Sequence, residues 1–76
     1  MSDSPGENAQ PPVVVWAVSP GDPPFRMVQV HGNIVGTARN MADVIVLARR
    51  AGVKNVDLED PAVVRWVKGG MYTWDF

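Results

Sequence analysis

His31 is the only histidine in the chain. As a general base it would need a nucleophile or an orienting carboxylate beside it, and as a metal ligand it would need further donors. Spacing places none of these near it. It stands at Gly32-Asn33, where a tight turn is expected, and reads as a surface residue flanking that turn. Asp57, Glu59 and Asp60 form the one acidic cluster. Paired carboxylates can do acid–base work, and clustered ones can hold a divalent cation. A calcium loop, however, spreads its ligands over about a dozen residues around a central glycine. That spacing is missing, and helix capping accounts for Glu59 and Asp60.

The glycine-containing stretches Gly32-Asn33-Ile34-Val35-Gly36 and Gly69-Gly70 do not follow a strand and open a helix with the glycine spacing and lysine of a phosphate loop. Ser2, Ser4 and Ser19 lie in a tail or a loop and not at a nucleophile elbow. The expectation is a protein without catalytic residues, metal site or cofactor, and no small-molecule ligand is implied.

Two features point to binding. The first is a basic set, Arg39, Arg49, Arg50 and Lys54, at the two ends of an expected helix. Cations there can meet phosphates, and three strands followed by a helix parallel the DNA readers that lay a sheet in the major groove. Against this, the outer face of the expected sheet offers only Arg26 or Gln29 among apolar residues, and a helix C-terminus favours cations in any case. The second is a surplus of apolar and aromatic side chains: Val14, Trp16 and Val18 in the run VVVWAV, Val46 on the polar side of the helix, and Tyr72, Trp74 and Phe76 at the C-terminal end. Large aromatics are favoured at interface centres, and an unprotected edge strand invites pairing with another chain.

The elements that must position these residues follow from pattern. Met1 to Pro12 has no large apolar residue after Met1 and is expected to be a disordered tail; residues 13–76 then form one domain. Val13 to Val18 reads as a buried strand, and Pro20, Pro23 and Pro24 make the following loop stiff. Arg26 to His31 and Ile34 to Ala38 read as a hairpin turning on Gly32-Asn33, with His31 opposite Ile34 and Val30 opposite Val35. Asn40 caps a helix over about 41–51 that Gly52 stops, with Met41, Val44, Ile45, Ala48 and Ala51 on its inner stripe. Val53 to Leu58 gives a weak strand signal. Asp60-Pro61 predicts a second helix, its Val63, Trp66 and Val67 buried and Arg65 in solvent, ending at Gly69-Gly70. Met71 to Phe76 alternates like a last strand.

The fold class expected is therefore α+β, in the order β-β-β-α-(β)-α-β. A small antiparallel sheet of three or four strands carries two helices packed on one face.

The net charge is −1, yet residues 25–56 carry Arg26, Arg39, Arg49, Arg50 and Lys54 against Asp43 alone. The chain has no cysteine, no basic segment followed by an apolar stretch at its start, and no apolar run long enough to span a bilayer. A cytoplasmic protein without membrane contact is expected. The excess of valine and of arginine over lysine suggests a high-GC bacterial genome. The function expected is a small non-enzymatic interaction or regulatory domain, acting as a homodimer or docking to a larger protein through Val14, Trp16, Val18, Val46, Tyr72, Trp74 and Phe76. The alternative is a DNA-binding accessory or transcriptional regulator using Arg39, Arg49, Arg50 and Lys54.

Overall fold

The computed structural model describes residues 11–75. Most of the tail reading, and Phe76, lie outside them. Three strands come first: β1 (Val13–Ser19), β2 (Phe25–Val30) and β3 (Asn33–Ala38). A helix, α1 (Met41–Arg50), follows, and then a three-residue strand, β4 (Val64–Trp66). The sheet order is β3-β2-β1-β4, with β4 parallel to β1 and the other pairs antiparallel.

The strands form where β-branched residues alternate in burial. Val13, Val15, Val28, Val30 and Val64 all point to one face and are buried there. Helix α1 packs over β3 and β2 and inserts Val44 and Ala48 into the same core. Each fully buried valine contributes roughly 1.5–2 kcal/mol of transfer free energy, so these small side chains make a thin core that larger neighbours must close. Leu47, Val53, Val56, Leu58, Val63, Trp66 and Trp74 do so around its border.

The helix begins as its sequence dictates. The Asn40 side chain accepts from the Asp43 amide at 2.9 Å, and Asp43 Oδ2 accepts from the Arg39 amide at 3.0 Å. At the other end the Val53 amide reaches Ala48 O and the Gly52 amide reaches Arg49 O, both at 3.0 Å. This is a Schellman stop, with Gly52 at φ +101°. The β2–β3 turn consists of His31 (φ 49°) and Gly32 (φ 85°), both left-handed as a type I′ turn requires.

Several expectations need correction. The fold has one helix in place of two, and a mixed four-stranded sheet in place of an antiparallel one. The Asp60-Pro61 signal does start a turn, since Asp60 O accepts from the amides of Val63 and Val64. It goes no further, because Val64, Arg65 and Trp66 pair with Val13, Val14 and Val15. The free edge of β1 takes up the segment, the Val13 amide donating to Val63 O at 3.1 Å and the Val67 amide to Val15 O at 2.9 Å, and tertiary pairing overrides the local cap. Residues 53–58 form no strand, and 71–75 form a turn and an irregular segment. The hairpin turns one residue earlier than expected, with Val30 opposite Asn33 and Gln29 opposite Ile34. A register shift between Val28 and Gln29 then brings Val28 opposite Gly36. Two features favour glycine at position 36: a Cβ would lie 2.9 Å from Leu47 Cδ2, and the backbone has a φ of +158°.

Arg26, expected on the outer face, is fully buried on the inner one with Val28 and Val30. Burial pushes its guanidinium pKa down from the ordinary value by desolvation. Main-chain oxygens compensate. Nε donates to Trp16 O at 2.7 Å, Nη1 to Gly70 O at 2.9 Å and Thr73 O at 2.8 Å, and Nη2 to Val67 O and Gly69 O, both at 3.0 Å. The guanidinium carbon lies 5.1 Å from the Trp66 ring centroid and 5.5 Å from that of Trp74, and these two rings meet edge to face at 6.1 Å. A segment outside the sheet ladder, residues 68–73, is thus wrapped with the Val67 carbonyl around one side chain. Among the described residues no helix is long and apolar enough to cross a membrane.

Candidate functional site

The helix, the 51–63 connection and the C-terminal segment all pack on the face that carries Val13, Val28 and Val30. The opposite face of the sheet has no described element over it. Strand register sets its composition. Ile34 of β3, Gln29 of β2, Val14 of β1 and Arg65 of β4 are successive cross-strand neighbours, forming a row across all four strands. Thr37 and Met27 are paired in a second row, and Trp16 lies beside Met27 at an irregularity in β1.

That irregularity lies between Val15 and Val18, where the β1–β2 register shifts. A bulge leaves a carbonyl unpaired and re-aims a side chain. The Trp16 carbonyl goes to Arg26, while its ring stands 40% exposed on the open face, with Nε1 3.3 Å from Gln29 Oε1. Ile34 is 50% exposed. A shallow groove of about 240 Å³ runs between β1 and β4, lined by Val14, Trp16, Gln29, Arg65 and Val67. The four strands carry only two charged residues, Arg26 and Arg65, and no carboxylate. With Arg26 enclosed in the core, Arg65 is the one charge the strands present on the open face.

Of the interface residues expected from sequence, Val14 and Trp16 share this face. Val18 is half-buried opposite Arg26. Val46 is 45% exposed on the outer side of α1, separated from the open face by the whole sheet. Tyr72 is 76% exposed. Trp74 packs against the core beside Trp66, its Nε1 donating to Met71 O at 2.6 Å. Phe76 lies outside the described residues. β1 is paired on both sides, so the strand is not an edge open to another chain.

The basic residues do not form one patch. Arg39 precedes α1 and Arg49 and Arg50 end it, about 15 Å apart along a ten-residue helix. Lys54 follows Gly52 near the second group. All four are exposed, and none is in a strand of the sheet.

Two of the three carboxylates considered for catalysis have local duties, and the third, Glu59, is exposed and lines a cavity with Pro61, Arg65 and Trp66. Asp57 Oδ1 accepts from the Glu59 amide at 3.0 Å and Asp60 Oδ1 from the Ala62 amide at 2.9 Å. His31 serves the hairpin turn. Among the described residues no three of His, Asp and Glu gather as a metal site would need.

Sequence reasoning missed Met27, Gln29, Ile34 and Arg65 as parts of one surface. The signal for the first three was present in the alternation of β2 and β3. Arg65 was hidden because its segment was read as helix. Comparison with protein-family models, curated proteins and solved structures gives no match.

Proposed function

We propose that this chain is a non-enzymatic interaction domain that docks to a larger protein through the open face of its sheet. The observation that carries the reading is the row Ile34, Gln29, Val14 and Arg65 with the exposed Trp16 beside it. A sheet face that sets apolar and aromatic side chains beside one charge, with no layer over it among the described residues, resembles half of a two-layer interface. A cytoplasmic location fits the cysteine-free composition.

The DNA-binding alternative draws on the exposed Arg49, Arg50 and Lys54 at the end of α1. It is weakened by the distance to Arg39 and by a net charge of −1, which gives no long-range attraction for phosphate.

Co-purification from the native cells with a double variant, Trp16→Ala with Ile34→Asp, tests the reading. The expected result is loss of a stoichiometric partner with unchanged circular dichroism. Retention of that partner by a folded double variant, and its loss on Arg49→Ala with Arg50→Ala, would move the binding surface to the helix.

A further inference from the structure

We infer that the occupant of the open face is an extended protein segment that places a carboxylate against Arg65 and an apolar side chain in the groove between Trp16 and Val67. The inference rests on the docking-face reading and specifies its partner.

Charge decides between the three occupants such a face could take. A second copy of the chain would bring another open face, and no strand carries a carboxylate. Two sheets packed face to face would then partly desolvate two Arg65 side chains with no strand carboxylate between them, since Glu59, the carboxylate beside Arg65, lines the neighbouring cavity with Pro61 and Trp66 and not the groove with Trp16. A single-stranded nucleic acid would stack on Trp16 and set a phosphate on Arg65. It needs a line of cations to follow the backbone, however, and the strands of this face offer one. A peptide with one acid and one apolar anchor needs only what is there: a fork of guanidinium donors on β4 and, about one strand spacing away, an apolar floor at Val14 walled by the Trp16 ring. Gln29 lines the same groove and supplies an amide within reach of the segment's main chain. The groove, about 240 Å³, is of the size of one or two side chains and smaller than the pockets that hold cofactors.

The test uses the full chain, ¹⁵N-labelled, and three probes: a synthetic hexapeptide alternating Leu and Glu, its counterpart alternating Leu and Lys, and an oligo-dT of the same length. The expected result is that the Leu-Glu peptide shifts the Trp16 indole signal and the amides of Val14, Gln29, Arg65 and Val67, and binds about five-fold more tightly than the Leu-Lys peptide. Arg65→Glu, a change at an exposed position, should reverse that order. Equal responses to both peptides at this face overturn the charge assignment while leaving the face as a docking surface. Oligo-dT outcompeting both peptides overturns the protein-partner reading as well. Shifts of the same amides on raising protein concentration alone replace the peptide with a second copy. Absence of shifts in this patch with either peptide at millimolar concentration also overturns the inference.

Discussion

Arg26 Nε donates to the Trp16 carbonyl at 2.7 Å, so the residue that gathers the C-terminal segment also holds the β1 irregularity from which the Trp16 ring reaches the open face. The five guanidinium N–H groups match five carbonyls, and no buried side-chain donor or acceptor is left without a partner among the described residues. Lysine has three donors, no planar fork and a compact charge that stacks poorly on indole. Arg26→Lys should therefore cost about 3 kcal/mol in chemical denaturation, with the Trp fluorescence of the native state altered. A loss below about 1 kcal/mol would mean that the cage is incidental.

Gly36 and Leu47 should couple energetically. A methyl group on Gly36 meets Leu47 Cδ2 at 2.9 Å and Cδ1 at 3.3 Å. Gly36→Ala is expected to destabilise by about 2 kcal/mol in the parent; in a Leu47→Ala background the part owed to the contact is lost, about 1 kcal/mol, and the part owed to a φ of +158° remains. A double-mutant cycle by urea denaturation reads the difference; strict additivity would show that the helix does not rest on the strand at this point.

The His31-Gly32 turn is open to improvement. Both residues are left-handed, and asparagine tolerates that region better than histidine. His31→Asn should stabilise the hairpin by about 0.5 kcal/mol. Gly32→Val should destabilise it by about 1 kcal/mol or more for conformational reasons alone, since a Cβ there meets nothing within 4 Å. Thermal melts of the two variants, moving in opposite directions, check the turn assignment.

Asn40→Ala removes the side-chain acceptor of the Asp43 amide and should cost about 1 kcal/mol. Asn40→Asp should restore most of it, measured by the same melts.

How much of this was legible in the sequence follows from which signals are local. The first strand, the hairpin and the helix with its Asn40 cap and Gly52 stop are written in adjacent residues, and each appears within a residue or two of its expected bounds. β4 was misread because its partner lies about fifty residues away: nothing near Val64 announces a parallel pairing, whereas Asp60-Pro61 announces a helix loudly. The same error concealed the C-terminal segment, whose conformation depends on Arg26 and not on its own alternation of Tyr72 and Trp74. Arg26 itself shares the parity of Val28 and Val30. That parity was the available signal, and the general expectation that a charge faces water overrode it. The candidate site was half legible in consequence. Val14 and Trp16 stood out by type, but the row they belong to exists only once Arg65 is known to be in a strand.

The proposed contact with the partner is made by the open face of the sheet, and not by the helix or the C-terminal aromatics. Photo-crosslinking measures this most directly, with benzoylphenylalanine placed singly at Ile34 and Thr37 on the open face and at Val46 and Tyr72 elsewhere, each variant expressed in the native cells. One discrete adduct of the same mass is expected from Ile34 and Thr37, and none from Val46 or Tyr72. Adducts from Val46 or Tyr72 with a silent sheet face would contradict it.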